Sequence, residues 1–226
     1  MSHPLRVPFH ASGRANSRAF MYFKMCAESL VAYRAITSKG SGLDPMHPTF
    51  DGLNDKADEL SVLPVIFSGM CLEATLYDLA ACIFGEDFAD RIDKLDPVSK
   101  FQVIARYIDR QDPPQGGVST NAIQAVVTAR NLLVHSKSLD GDLGEIGALM
   151  KKAGKSHQKT LDGIDNSLKA LVLTSLYFDG NIFEELRILP SFKKDEYWVA
   201  TVPKELHPEI RWCIEASKKE KARANA

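Results

Sequence analysis

Apolar side chains recur with helical spacing along most of the chain, and turn-forming residues divide this pattern into segments. Helices are predicted over about 17–36, from Asp55 to Phe84, after Pro97, in STNAIQAVVTARNLLVHSK and in HQKTLDGIDNSLKALVLTSLYF. Pro64 is expected to kink or break the second helix, because proline lacks the N–H that a helix interior uses, and Gly85 is expected to end it. The pattern therefore predicts an all-α bundle of about five helices up to residue 179.

The C-terminal part of the chain has a different pattern. DEYWVATVP has strand-like content, and PEIRWCIEAS is typical of a short helix that opens at Pro208. We therefore predict a helical bundle over 15–180, a small appendage over 181–216 and a charged, frayed tail over 217–226.

Composition places the chain among ordinary globular proteins, with 45% apolar and 25% charged residues. The formal net charge of -1 argues against a protein that coats nucleic acid by charge alone, although it leaves room for a local basic site. The four cysteines include no C-x-x-C pair, and Cys71 and Cys82 lie in an apolar run. Because the N-terminus also lacks the apolar core of a secretory signal, we expect reduced core cysteines and a cytoplasmic location.

The longest apolar run, LPVIFSGMCLEATLYDLAACIF, is nearly long enough to cross a bilayer. Glu73 and Asp78 lie near its middle, and each would cost about 2.5–3.5 kcal/mol there. A buried helix of a bundle is the better interpretation, and no membrane association is predicted.

One arginine lies where an apolar residue is expected. In NAIQAVVTARNLLVH, helical geometry puts Arg130 at the centre of a broad apolar face. That face is formed by Ile123, Val126, Val127, Leu133 and Val134. A separate polar stripe carries Gln124, Thr128, Asn131 and His135. Arg130 and His135 are about 140° apart on an ideal helix, but a long arginine and a helix that ends after the histidine would let both reach one ligand.

A structural ion pair is the simplest account of Arg130, because an unpartnered buried guanidinium is very unfavourable. Glu73 is equally out of place among the apolar residues of its own helix, so we predict that these two charges form a buried pair. Asp78 is the alternative partner. A structural pair is compatible with function, since a pre-oriented arginine is also what a phosphate site needs.

His135 also has a structural interpretation, because histidine at a helix C-terminus is favoured by the helix dipole. The other five histidines have no metal-ligand spacing, and the sequence contains no P-loop, G-x-G-x-x-G or H-E-x-x-H motif. We therefore predict neither a metal nor a cofactor.

The motif RNLLVH resembles the signature of HEPN domains: arginine, a polar residue, three further residues and a histidine near the end of a helix in an all-α bundle. The resemblance covers about residues 15–180. It implies a metal-independent endoribonuclease of the toxin or antiviral-defence type, with Arg130, Asn131 and His135 as its catalytic residues. Glu73 is added to these candidate site residues as a supporting residue, from the charge pattern alone. The alternative is a non-catalytic HEPN-like module that binds a partner protein or a nucleotide, and a structural helical adaptor is a third hypothesis.

These residue types suit RNA cleavage by the RNA's own 2′-OH. Histidine transfers protons near neutral pH, and arginine stabilises charge on a phosphoryl group. Asn131 would hold the His135 tautomer or bind a phosphate oxygen. Because proton transfer is needed on both sides of the phosphate and the motif helix offers one histidine, we expect a homodimer with a shared site. RNA is the expected substrate, and an antitoxin or another protein is an expected partner.

Overall fold

The computed structural model describes residues 17–44, 46–109, 113–114, 116–135, 146–178 and 189–224. All regular structure in these ranges is helical, which confirms the predicted all-α class. The helices are α1 (Ala19–Gly40), α2 (Phe50–Phe84), α3 (Glu86–Ile92), α4 (Pro97–Asp109), α5 (Val118–Val134), α6 (Ile146–Phe178), α7 (Asp195–Trp198) and α8 (His207–Ala224), with a short 3-10 helix at Lys204–Leu206.

The count of about five helices up to residue 179 was too low. Within the described ranges, six α-helices precede residue 179, because the seven-residue α3 follows Gly85 directly and is too short to produce a periodic pattern of its own. The strand-like interpretation of DEYWVATVP was wrong as well. Its first four residues form α7, and Trp198 is fully buried there, so packing of the indole outweighs the intrinsic preference of the segment.

The long helix α2 lies at the centre of the bundle and contacts α1, α3, α4, α5 and α6. Leu72, Leu76 and Leu79 are fully buried along it, and such burial stabilises the fold by about 1.5–3 kcal/mol for each leucine. The helix passes through Pro64 without a break, and the Cys26 thiol donates a hydrogen bond to the Pro64 carbonyl. Length and composition would also allow α2 to span a membrane, but core helices pass the same test.

Specific residues end α2 and begin α4. Gly85 ends α2 with φ of +91°, a conformation that side chains disfavour. Asp96 accepts hydrogen bonds from the backbone N–H groups of Val98 and Ser99 at the start of α4. Burial alone would raise the pKa of Asp96, but these bonds and the Ser99 hydroxyl lower it.

Helix α5 begins without a side-chain cap. The helix starts after Gly117, which makes no side-chain cap, and Ser119 lies inside the first turn. The Ser119 hydroxyl instead donates to the Glu220 carboxylate of α8, over 3.4 Å. This hydrogen bond ties the start of α5 to the C-terminal helix.

Helices α5 and α6 pack very closely. A Cβ atom added to Gly163 of α6 would overlap the Ala129 side chain and would lie 3.3 Å from the Ala125 carbonyl oxygen of α5. Ala129 is fully buried at this contact. The absent side chain of Gly163 therefore sets the spacing between the helix that carries the RNLLVH motif and its neighbour.

Residues 189–224 share the hydrophobic core of the bundle. Phe192 packs against Phe23 of α1 with ring centroids 5.9 Å apart, and Arg34 of α1 binds Glu209 of α8 at 2.7 Å. Helix α8 crosses the predicted boundary between appendage and tail at 216/217 without interruption. The boundaries predicted at 15 and at 180/181 lie outside the described residues.

All four cysteines are buried and form no disulfide bond, as predicted. Burial raises the pKa of the Cys26 thiol to about 12, and that of Cys213 likewise to about 12. Because the thiolate is the reactive form, both side chains are inert at neutral pH. Their role is therefore to pack the core.

Candidate functional site

Arg130 reaches from α5 to α2 and pairs with Glu73. Its Nη1 atom donates a hydrogen bond to Oε1 of Glu73 over 2.7 Å. The predicted partner is therefore Glu73, whereas Asp78, the alternative, lies almost fully buried further along α2. The prediction of a buried pair was wrong in degree, since the Arg130 and Glu73 side chains keep 29% and 38% of their surfaces exposed.

Gly69 makes room for the arginine and was missed in the sequence. A Cβ atom on Gly69 would lie 2.7 Å from Cδ of Arg130, so the aliphatic part of the arginine crosses α2 one turn before Glu73. The available signal was a glycine within a long apolar helix, four residues before the misplaced acid. Gly69 and Glu73 together fix the path of the guanidinium.

Asn131 and His135 lie on another flank of α5. Both are exposed, and His135 is the residue at which the helix ends. Its backbone N–H donates to the carbonyl oxygen of Asn131 over 3.0 Å, which gives His135 the predicted C-cap position. Among the described residues, no hydrogen bond joins either side chain to Arg130. Glu73 thus orients the arginine in advance, while the Asn131 and His135 side chains are exposed.

The polar flank of α5 continues into a groove against α6. Asn121, Gln124, Ala125 and Thr128 of α5 and Lys159 and Asp162 of α6 line a space of about 350 Å³, which we call the polar groove. The Gln124 amide donates to the Thr128 hydroxyl over 3.2 Å inside it. Gln124, Thr128, Asn131 and His135 share one helix face, so the groove and the histidine belong to one continuous polar surface.

The candidate site therefore consists of three residues of one helix. Arg130 is partly exposed and held by Glu73. Asn131 follows it directly, and His135 lies five residues further on at the end of α5; both are exposed. In the described ranges, no group of three or more His, Cys, Asp or Glu side chains is arranged to hold a metal ion. Comparison of the chain with known protein families, with proteins of established function and with solved structures finds no match.

The Arg130–Glu73 pair is expected to stabilise the fold modestly. Because both side chains are partly exposed, Glu73→Gln or Arg130→Met should each lower the free energy of unfolding by about 1 kcal/mol rather than by the larger cost of a buried pair. The double variant should lose less than the sum, by about 0.5 kcal/mol. Chemical denaturation of all four proteins measures this coupling.

The more exposed pair between Lys56 and Glu59 is the matched control, with both side chains more than half exposed. A cycle with Lys56→Met and Glu59→Gln should give a coupling close to zero. Additive losses at Arg130 and Glu73 would show that their contact contributes nothing to stability.

Proposed function

We propose that this protein is a HEPN-like, metal-independent endoribonuclease that cleaves RNA by attack of the 2′-OH. The observation that carries the proposal is the guanidinium of Arg130, which Glu73 orients while leaving it partly exposed, on the same helix that ends at the exposed His135. Phosphoryl transfer needs a preorganised positive charge and an accessible proton-transfer group, and this end of α5 offers both.

In the proposed step, a base removes the proton of the 2′-OH, and the oxygen attacks the adjacent phosphorus. The P–O5′ bond breaks, the leaving oxygen takes a proton, and the products are a 2′,3′-cyclic phosphate and a 5′-hydroxyl. His135 serves as the base or the acid, and Arg130 stabilises the negative charge on the non-bridging oxygens. Asn131 binds a phosphate oxygen or holds the imidazole in one tautomer.

We assign the activity to a cytoplasmic toxin or antiviral-defence component, on the resemblance of RNLLVH to HEPN ribonucleases. The partner of such a protein would be an antitoxin that covers the site.

The test is incubation of the purified protein with total RNA in the presence of EDTA. Cleavage should proceed at the same rate with EDTA and with magnesium, because the chain's own side chains supply the charge and the protons. Strict dependence on added magnesium would overturn the proposal.

We further propose a homodimer in which two motif helices face each other. Val134, directly before His135, is an exposed apolar residue that a dimer contact would cover. Two copies of His135 would then provide the acid and the base. A purified heterodimer of wild type and His135→Ala should have far less than half of the wild-type activity. Half activity, or full activity in a monomer shown by sedimentation, would contradict the shared site.

The second candidate is a non-catalytic module that binds a protein or a nucleotide. The Arg130–Glu73 contact is consistent with it too, because a purely structural role explains that pair equally well. Expression in bacteria separates the two candidates. A ribonuclease toxin should suppress growth, with relief by His135→Ala, whereas a binding module should leave growth unchanged in both forms.

A further inference from the structure

The first half of α6 carries a concentrated positive charge. Lys151, Lys152, Lys155 and Lys159 lie between Ile146 and Leu161, and this segment contains no acidic residue. All four lysines are exposed, and none forms an ion pair within the described part of the chain. In a chain with a net charge of -1, this is a local basic surface rather than a reflection of overall composition.

Three of these lysines form one line, which we call the basic stripe. Lys151, Lys155 and Lys159 follow each other at intervals of four residues, so they share a helix face and are spaced about 6 Å apart along the axis. That spacing is comparable to the separation of neighbouring phosphates in an extended single strand. Lys159, at one end of the stripe, also lines the polar groove.

The basic stripe runs toward His135. Helices α5 and α6 pack side by side in opposite directions. Ser119 at the start of α5 contacts Glu220, and the Leu176 carbonyl near the end of α6 accepts from the neighbouring Lys221, so these two helix ends lie together. Lys159 and Thr128 line the same groove, and His135 lies about 10 Å beyond Thr128 along α5. In an antiparallel pair, Lys155 and Lys151 extend from Lys159 in that same direction. The stripe therefore passes beside the end of α5.

The polar groove supplies groups that recognise bases. The Asn121 amide donates to the Gly116 carbonyl, and the Gln124 amide donates to the Thr128 hydroxyl. Within the described residues, no hydrogen bond reaches the amide oxygen of either side chain. Asp162 adds a carboxylate, whose Oδ1 atom accepts a hydrogen bond from the Gln158 amide over 2.9 Å. A carboxylate has further acceptor positions, which suit base N–H groups or a ribose hydroxyl. Lysine beside such acceptors favours a ligand that carries both phosphates and hydrogen-bonding bases.

We infer that the basic stripe and the polar groove bind a single strand of RNA next to the proposed cleavage site. The stripe holds consecutive phosphates, and the groove receives one base at a fixed distance from His135. This inference takes RNA as the ligand from the proposed function, but binding along the stripe does not require cleavage. An anionic membrane would also attract the lysines, but it would leave the hydrogen-bonding groups of the groove without a role.

The test is a salt titration of binding to a fluorescein-labelled 2′-O-methyl RNA 12-mer, which the proposed reaction cannot cleave. For single strands, the logarithm of the binding constant falls with the logarithm of salt concentration by about 0.7 for each phosphate contacted. The variant Lys151→Gln/Lys155→Gln/Lys159→Gln should therefore reduce the slope by about 2, because three contacts are lost. Glutamine has nearly the same helix propensity as lysine, so α6 should be retained.

The matched control is Lys24→Gln/Lys56→Gln/Lys219→Gln, which removes the same charge from exposed positions elsewhere. It should leave the slope unchanged. Equal slopes for the two triple variants would overturn the inference, as would wild-type protein that binds phosphatidylserine vesicles through the stripe but does not bind the RNA. Failure of cleavage in EDTA would refute the proposed ribonuclease alone, since this binding measurement uses RNA that is never cut.

Discussion

Replacing His135 by alanine is expected to reduce RNA cleavage by about 10²–10⁴-fold, the usual contribution of a proton-transfer group. The imidazole is exposed at the end of α5, and its backbone, not its side chain, makes the helix-ending hydrogen bond. The substitution therefore removes the proton-transfer group while the fold is retained. Single-turnover cleavage of a defined RNA, with a melting curve of the same sample, measures both effects.

His47→Ala is the matched control for this substitution. His47 is also an exposed histidine, and its imidazole is hydrogen-bonded to the nearby Thr49 in the connection between α1 and α2. Its removal should leave the cleavage rate within about twofold of wild type, far below the effect of a proton-transfer group. Full activity of His135→Ala would show that this histidine is only a helix cap.

The second large effect concerns stability. Gly163→Ala is expected to lower the free energy of unfolding by about 1–3 kcal/mol, because the new methyl group would overlap Ala129 and force α5 away from α6. A loss of stability would be informative, because alanine normally stabilises a helix interior by about 1 kcal/mol relative to glycine. Because α5 carries the motif, cleavage should fall as well.

Gly154→Ala in the same helix is expected to increase stability instead. A Cβ atom at Gly154 would meet nothing within 4 Å, so only the helix propensity changes. Its melting temperature should rise by about 1–4 °C, as expected for a gain of 0.5–1 kcal/mol in a chain of this size. A stabilising effect of both substitutions would contradict the close approach of α5 and α6.

The central contact of the site was predictable from two misplaced charges. Arg130 and Glu73 each interrupt an apolar face, and opposite charges in such positions meet because neither can be buried alone. Their exposure was not predictable, since it depends on where α5 crosses α2. That crossing depends in turn on Gly69, whose missing side chain carries no periodic signal of its own.

Helix boundaries were harder to predict where polar residues dominate. The first half of α6 has many lysines and no continuous apolar stripe, so the helix was predicted to start near His157 instead of Ile146. The basic stripe was missed for the same reason, because its alignment exists only once that segment is helical. In the C-terminal part, burial of Trp198 against the common core decided the local structure, which strand propensity could not predict.

The most direct measurement of the central claim compares two substrates that differ by one oxygen atom. A short RNA is incubated with the protein in EDTA beside the same oligonucleotide carrying a single 2′-deoxyribose at the cleaved position, and the products are analysed by mass spectrometry. Attack by the 2′-OH should give a 2′,3′-cyclic phosphate and a 5′-hydroxyl from the RNA, and no cleavage at the deoxy position. Equal cleavage of both oligonucleotides, or products that carry a 5′-phosphate, would contradict attack by the 2′-OH at Arg130 and His135.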